Sequence, residues 1–555
     1  MVANTETKEY ATEGGLPTSA PSGQRATKQM VLFSMFISLA GWIFNFDLGY
    51  GGTVLQMQSY RKSFGQCAPV TDPENLKTAV VCSQTALQQG LVSLTLLFVA
   101  VGGACSGVVG TYLGRRGTIQ VGALLAAIGA GGMLGTSGNF TAYLVCKCIG
   151  GVGLGHIIAA GPVYGAECTI ASKRGMLLAL YNIGLGSGNA AAAAVCWGSS
   201  TYTHSNLAWQ IPIICQIPLS VILGTAVLLF PESPRWLLTK GREDAAKRSF
   251  AWFYAKSPDH PDVLLQVQDV QRHIDMEKLY GTTSNWTEIY RGTNFRRTTV
   301  SGLIMVGLAI TGSKFVGPYG AIFLAKVGVK NPFLNNFIIA ACTMAGSIPG
   351  PVVIEYGGRR FSMLWGYGTM TVCMLIIAIV GSALGPGSST AKVVLLVFLF
   401  LWAYLFGMFI GTSVWIAAPE QHNIRLRTYG QASTTLVYQI FGFTASFYGP
   451  YMLSVDYGNM GLNVGYFYAG KQDIHKICED PFAQAECTGV TFAMLVLTFA
   501  FVPETARLTL EQIDEYFFSG RAAWKTSTSR NKKIAKGEVV DHVVELEYAV
   551  RKSAL

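Results

Sequence analysis

Long apolar segments alternate with short polar ones along most of the chain. An α-helix needs about 20 apolar residues to cross the hydrocarbon core of a membrane. Six such runs precede a polar stretch at residues 231–296, and six follow it. The pattern therefore predicts an all-α integral membrane protein with 12 transmembrane helices in two six-helix halves. The predicted segments are 30–54, 84–110, 118–137, 141–165, 176–198, 209–230, 297–325, 333–354, 361–385, 391–417, 430–454 and a broken run that ends at Val502.

Composition agrees with this prediction. Only 13% of the 555 residues are charged, against about 25% in soluble globular proteins, and the mean hydropathy is +0.37. Lys and Arg gather in every second loop, so the positive-inside rule predicts that both termini are cytoplasmic. The predicted regions are a disordered cytoplasmic tail (1–28), an N-terminal half (29–230), a cytoplasmic linker that is helical around Val263–Tyr280 (231–296), a C-terminal half (297–519) and a cytoplasmic tail (520–555).

The two halves repeat three short motifs in the same order. Internal repeats of this kind are typical of secondary transporters, whose substrate site lies between the repeats near the middle of the bilayer. The motif pairs are Gly114-Arg115-Arg116 with Gly358-Arg359-Arg360, Glu167…Arg174 with Glu420…Arg427, and Pro231-Glu232-Ser233 with Pro503-Glu504-Thr505.

These motifs, together with Pro162-Val163-Tyr164-Gly165-Ala166-Glu167 and Pro231-Glu232-Ser233-Pro234-Arg235-Trp236, resemble the sugar porter family of the major facilitator superfamily over about residues 30–525. The run Leu510-Glu511-Gln512-Ile513-Asp514 is most similar to fungal maltose and hexose transporters. The resemblance implies the major facilitator fold and transport by alternating access.

Charged residues at the cytoplasmic helix ends are predicted to form a gate. Ion pairs between the halves would hold the inner side closed, and breaking them would open it. The alternative is that these arginines only set the topology. The predicted gate residues are Arg115, Arg116, Glu167, Arg174, Glu232, Arg235, Glu355, Arg359, Arg360, Glu420, Arg427 and Glu504.

Asp47 lies inside the first predicted span, where a charge costs about 2.5–3.5 kcal/mol on insertion scales. The resemblance to proton-coupled sugar porters implies a proton carrier at Asp47 and a cation in the fourth span, where this chain has Lys147. A lysine keeps the charge of the family's arginine but lacks its two-pronged geometry. We predict that this pair couples transport to protons; the alternative is a purely structural ion pair.

The family's sugar-binding positions are only partly retained. Asn182 and Thr343 stand where the family has amides, Trp415 is retained, and Asn189 is another polar residue inside a span. Lys314 replaces an asparagine of the family and could bind an anionic group, pair with an acid or extend to the interface. The predicted binding set is Asn182, Asn189, Lys314, Thr343 and Trp415.

Cys67 and Cys82 fall in the loop after the first span, which is predicted to be extracellular. A disulfide is possible there, although two free thiols fit the spacing equally well. The residues indicate neither a metal cluster nor a catalytic triad, so no enzyme activity, metal or cofactor is expected.

The last predicted span is interrupted by polar residues 471–489. Glu167 and Glu420 are 253 positions apart, whereas Glu232 and Glu504 are 272 apart, and the excess equals these 19 residues. Gly470-Lys471 and Thr488-Gly489 can also be encoded by splice-site-like codons. We predict a retained intron; the alternative is a genuine extracellular loop.

The sequence thus predicts a plasma-membrane transporter that imports a sugar or polyol with a proton. It would act as a monomer, with the lipid bilayer and a small-molecule substrate as its partners and no nucleic acid. The alternatives are transport of an anionic or specialised metabolite and, ranked last, a nutrient receptor that does not transport.

Overall fold

The computed structural model describes residues 27–71, 78–136, 138–169, 174–203, 205–281, 286–384, 388–423, 426–454, 456–458, 464–469, 489–506, 508, 510–518 and 522–535. Helices dominate these residues. Most of the two predicted tails, and all of the interrupting segment 471–489 except Gly489, lie outside the described residues.

Six spans form the first half. The second and third lie in one helix, α4, which bends sharply at Gly114, where φ is +77°. A Cβ atom at Gly114 would also collide with the Glu232 carboxylate, so both the backbone conformation and the available space require glycine. The helices are α1 (Lys28–Thr53), α2 (Gln58–Phe64), α3 (Ala86–Leu91), α4 (Thr95–Leu134), α5 (Phe140–Cys168), α6 (Arg174–Ser199) and α7 (Leu207–Ala226).

A β-hairpin interrupts the helical pattern after α2. Strands β1 (Gln66–Thr71) and β2 (Thr78–Ser83) are antiparallel, and their register places Cys67 opposite Cys82. The two sulfur atoms are bonded at 2.02 Å. Of the two alternatives left open by the spacing, the structure contains the disulfide.

The central linker is helical, and one of its helices contains the segment Val263–Tyr280 that was predicted to be helical. Thr27, directly before α1, donates a hydrogen bond to the Phe253 carbonyl at 2.6 Å and so ties the linker to the first span. The linker helices are α8 (Pro234–Thr239), α9 (Glu243–Tyr254) and α10 (Pro261–Gly281).

The second half repeats the first with more breaks. Its seventh span breaks at Thr311 and Gly312, its eighth bends by 42° after Ser347, and its tenth contains the π-helix Phe406–Ile410. The helices are α11 (Gly292–Ile310), α12 (Ser313–Lys326), α13 (Pro332–Ser347), α14 (Gly350–Gly357), α15 (Arg359–Leu384), α16 (Ser389–Leu405), α17 (Gly411–Glu420), α18 (Arg427–Leu453), α19 (Val464–Ala469) and α20 (Val490–Phe501).

Two more helices follow the last span: α21 (Leu510–Phe518) and α22 (Thr528–Ala535). Length and hydropathy alone identify seven spans among the described helices, or eight with the bent pair α13–α14. The long α3–α4 unit crosses twice. The more polar α6 and α18 and the divided α19–α20 complete the twelve.

Large apolar side chains project outward from the helices. Val108, Leu124 and Val393 are each about 60% exposed. A surface of this kind is unfavourable in water but matches the hydrocarbon of a bilayer. The interior instead contains closely packed small residues. A Cβ at Gly102 would collide with the Val152 carbonyl, so α4 and α5 approach to backbone contact.

The halves contact each other mainly at the end away from the paired arginines. The Ser93 hydroxyl of the first half donates to the Ser446 hydroxyl of the second at 2.9 Å, and the Asn336 amide lies 3.3 Å from the Thr53 hydroxyl. Gly52 approaches the Pro318 backbone so closely that a Cβ would not fit. These contacts seal the end predicted to be extracellular.

Candidate functional site

A cavity of about 220 Å³ lies between the two halves. Side chains from α1, α5 and α6 face others from α11–α13, the π-helix and α18 across it. The structure brings together at its wall all seven residues that the sequence indicated for coupling and binding: Asp47, Lys147, Asn182, Asn189, Lys314, Thr343 and Trp415.

Asp47 and Lys147 form an ion pair in the wall of the first half. The Lys147 ammonium lies 3.2 Å from each carboxylate oxygen of Asp47. Each residue is only 3% exposed. A single ammonium group therefore neutralises the carboxylate by contacting both of its oxygens. Gly51 has no side chain, which leaves space for the Lys147 side chain beside α1.

Two further side chains complete this pair. The Tyr50 hydroxyl lies 2.7 Å from Asp47 Oδ1 and 2.5 Å from Gln216 Oε1, and Lys147 stands 4.7 Å from the centre of the Tyr50 ring. Tyr50 follows Asp47 by three residues, so one face of α1 presents both. Gln216 comes from α7 and links the pair to a third span.

Lys314 stands on the opposite side, at the start of α12. Its ammonium lies 5.1 Å from the centre of the Tyr438 ring, and that ring meets Trp415 edge-on at 5.5 Å. The positive φ of Gly312, +97°, ends the preceding helical segment and allows α12 to begin with Lys314 in its first turn.

The other predicted binding residues are partly engaged within the protein. Asn182 donates from Nδ2 to the Thr412 hydroxyl at 2.9 Å, which joins the two halves. Thr343 donates to the Ile339 carbonyl at 3.1 Å, so its oxygen remains an acceptor. Asn189 packs against Gly49, where a Cβ would approach its Oδ1 to 2.7 Å.

The predicted gate residues of the first half form a compact cluster. Arg115 donates to both oxygens of Glu167, at 3.0 and 2.8 Å. The Ser233 hydroxyl donates to Glu167 at 2.6 Å. The Glu232 carboxylate accepts from the backbone N–H groups of Arg115, Arg116 and Ser233. Burial raises the pKa of Glu232, although these backbone hydrogen bonds and Arg116 oppose the shift.

The second half repeats this cluster. Arg359 donates to both oxygens of Glu420, at 3.2 and 3.0 Å, and Thr505 donates to the same carboxylate. Glu504 accepts from the backbone N–H groups of Arg359 and Arg360. The sequence repeat therefore corresponds to a repeated hydrogen-bond network.

In the described part of the chain, the ion pairs of Arg115 and Arg359 each lie within one half, so a gate that is closed by pairs between the halves stays a prediction. Arg115 and Arg359 each pair inside their own half because the turn carrying the arginine packs beside the end of the span carrying the glutamate. Arg116 and Arg360 donate to carbonyls of their own halves. Of the remaining gate residues, Glu355 is exposed, Arg235 and Arg427 are half-buried, and the Arg174 side chain lies outside the described part.

The family model for sugar (and other) transporters matches residues 33–517. The chain belongs to this family. It is thus a membrane transporter with the major facilitator fold and not an enzyme, and the predicted family and fold class are confirmed.

Similar proteins include fungal carriers. The chain is 25% identical to the high-affinity fructose transporter ght6 of Schizosaccharomyces pombe over 89% of this chain and 88% of that protein. It is 26% identical to the hexose transporter HXT9 of Saccharomyces cerevisiae, with 92% and 87% covered. The high glucose sensor RGT2 of S. cerevisiae is 27% identical over 95% of this chain but only 66% of its own length.

Solved structures share the fold of this transporter. The proton:xylose symporter XylE bound to 6-bromo-6-deoxy-D-glucose superposes with a TM-score of 0.67 at 18% identity, covering 89% of this chain and all of that one. XylE from E. coli in an inward open conformation gives 0.66 at 17% identity, with 88% and 99% covered.

Sequence reasoning missed Tyr50, Gln216 and Tyr438. Gln216 carried a usable signal because a buried amide inside an apolar span requires a partner. The two tyrosines carried no such signal, because the sequence does not show whether a tyrosine side chain points towards the cavity or towards the lipid.

Proposed function

We propose that the protein is a proton-coupled secondary transporter that imports a sugar or sugar-like polyol by alternating access. The observation that carries the proposal is the buried Asp47–Lys147 pair in the cavity wall. A buried carboxylate favours its protonated form when it has no cationic partner and its charged form beside one. A movement that separates the two groups would load a proton, and their return would release it.

The contacts between the halves support alternating access. The halves are joined by hydrogen bonds that include Ser93–Ser446 and Asn336–Thr53 at one end and Asn182–Thr412 beside the cavity. A rocking motion of one half against the other can break them without unfolding a helix. The ion pairs at the opposite end are internal to each half, so both halves can move as rigid bodies. We place the arginine-bearing end in the cytoplasm of a plasma-membrane protein that acts as a monomer.

The test is uptake of labelled glucose and xylose in cells that lack their own hexose carriers, at outside pH 5 and 7.5. We expect faster accumulation at pH 5. Asp47→Asn should abolish accumulation and its pH dependence but retain exchange of internal for external sugar, because the amide mimics the protonated acid. Asp244→Asn, which changes an exposed linker acid, is the matched control. Transport by Asp47→Asn equal to the parent at both pH values would contradict proton coupling.

A second candidate function is a sensor, favoured by the similarity to RGT2. A sensor binds sugar in the same cavity but does not move it through. Sugar binding by the purified protein, combined with neither uptake nor exchange by protein at the cell surface, would support the sensor. Accumulation against a gradient would exclude it as the sole function.

A further inference from the structure

We propose that Lys314 binds a carboxylate of the substrate, so that among sugar-like polyols the transporter prefers a polyhydroxylated acid to a neutral polyol. The inference rests on the proposed transport function and names its substrate class. It is carried by the charge balance of the cavity, by the position of Lys314 within its span and by the side chains beside it.

The charges in the cavity wall do not cancel. Asp47, Lys147 and Lys314 are the charged residues that line the described cavity. Asp47 is already paired with Lys147. In the part of the chain that the structure describes, no carboxylate pairs with Lys314, whose ammonium rests on the Tyr438 ring. One positive charge therefore remains inside the membrane, which is costly unless a ligand neutralises it.

Lys314 cannot reach the membrane surface. It lies 12 residues before the end of α12 and 22 residues after the start of α11. At 1.5 Å per residue, the nearer helix end is about 18 Å away, far beyond the reach of a four-carbon stem. The cost of this charge therefore has to be met inside the cavity.

The break before Lys314 adds to the positive potential. The backbone N–H groups in the first turn of a helix lack intrahelical acceptors, and this end of the helix carries a partial positive charge. Discontinuous helices of transporters direct such ends towards anionic groups of the substrate. Here the helix end supports the lysine, which is the primary ligand.

The side chains around Lys314 can bind the hydroxyl groups and the carbon chain of a hydroxylated acid. Trp415 and Tyr438 offer aromatic faces and edges to apolar C–H groups. The Thr343 hydroxyl can accept a hydrogen bond, and the Asn189 amide lines the same cavity. A carboxylate on Lys314 with hydroxyl groups directed at these side chains would satisfy both the charge and the polar groups.

The experiment compares gluconate with glucitol, two open-chain polyols that differ at one end by a carboxylate against a hydroxymethyl group. We expect the parent to take up gluconate at least tenfold better. Lys314→Gln should reduce gluconate uptake about tenfold or more and leave glucitol little changed, since a charged hydrogen bond is lost. Lys314→Arg should retain part of the uptake, and Lys330→Gln is the matched control at an exposed lysine.

An unchanged ratio of gluconate to glucitol uptake in Lys314→Gln would overturn the inference. So would acid-stimulated glucose uptake without any gluconate uptake, which leaves the proposed transport function intact. No uptake of any of these compounds by protein at the cell surface would overturn both.

A second inference concerns the divided last span. We infer that residues 471–489 interrupt what is otherwise one continuous helix and that the functional chain lacks them. The Thr491 hydroxyl donates to the Tyr468 carbonyl at 2.6 Å, across 23 positions. Without the 19 residues the separation becomes four, which is the spacing of a threonine bonded back within its own helix, as in Thr444 and Ile440.

The buried face supports the same register. Val464 and Tyr468 are buried in α19, and Thr491, Met494 and Thr498 are buried in α20. Without the 19 residues, their spacing along the chain becomes four, four, three and four, which is one face of an α-helix. Both pieces also pack against α15.

The test combines message and protein. Sequencing of mature message should reveal transcripts without these codons. Deletion of 471–489 should raise surface abundance and thermal stability, whereas deletion of 471–487 should not, because two extra residues rotate the following helix by about 200°. Mature message that always retains the codons, or a 19-residue deletion no better than the 17-residue one, would overturn the inference.

Discussion

Replacement of Lys147 by methionine tests the energetics of the buried pair. The change removes the ammonium that contacts both Asp47 oxygens at 3.2 Å and leaves a carboxylate that is 3% exposed. Removing one partner of a buried ion pair costs about 3–5 kcal/mol. The entropy of unfolding is about 2.1 cal/mol/K per residue, so a chain of 555 residues that unfolds as one unit should lose about 3–4 °C.

The assay is thermal unfolding of the purified protein in detergent at pH 7 and pH 5. The loss in Lys147→Met should shrink at pH 5 because a protonated Asp47 no longer needs a cation. The double variant Asp47→Asn with Lys147→Met should recover most of the loss, since it leaves no unpaired charge. Lys330→Met is the exposed control. A double variant as unstable as the sum of the two single ones would refute the reasoning.

Three further predictions concern stability and use the same thermal assay. Burial, together with the charges of Arg427 and Arg297, lowers the pKa of His422 to about 4. Below about pH 6.5 the unfolded chain therefore binds a proton that the folded chain does not, and stability falls as the pH drops from about 6.5 to 4. His422→Gln should remove this part of the fall. Asn531→Ala removes bonds to the Glu504 and Ala506 carbonyls and should cost about 1–3 kcal/mol. Gly346→Ala should destabilise because its Cβ meets a main-chain carbonyl of α16, whereas Gly131→Ala, in open space, should not.

The spans were predictable because a bilayer requires about 20 apolar residues for each helix and leaves little choice of conformation. Asp47, Lys147 and Lys314 were identifiable for the same reason, since charges are rare inside such segments. Gln216 was identifiable only as a polar residue that needs a partner, and Tyr50 was not identifiable, because their contact depends on how α1 and α7 are rotated towards each other. Sequence spacing gives residue order but not this rotation.

The sequence predicted a gate from these charged residues, and in this structure Arg115 and Arg359 each pair within their own half. Glu167 and Glu420 occupy equivalent positions in the two repeats, so the sequence alone offers Arg115 either one. In the structure each arginine pairs with the glutamate of its own half. Glu232 in the first half and Glu504 in the second bind the backbone of the arginine turn and hold it beside the helix end that carries this glutamate. A repeated motif predicts a shared local structure more reliably than a contact between the copies.

This arrangement changes what the charge clusters can do during transport. In each half, a polar side chain from outside the membrane spans binds the backbone of the equivalent glutamate. Ser249 of the linker donates to the backbone carbonyl of Glu232, and Asn531 of the C-terminal segment donates to the backbone carbonyl of Glu504. Each cluster therefore stiffens one half and attaches it to the neighbouring linker or C-terminal segment. Separating the halves breaks none of the Arg115–Glu167 or Arg359–Glu420 bonds, so the energetic barrier to opening lies in the contacts between the halves and in the charge state of the cavity.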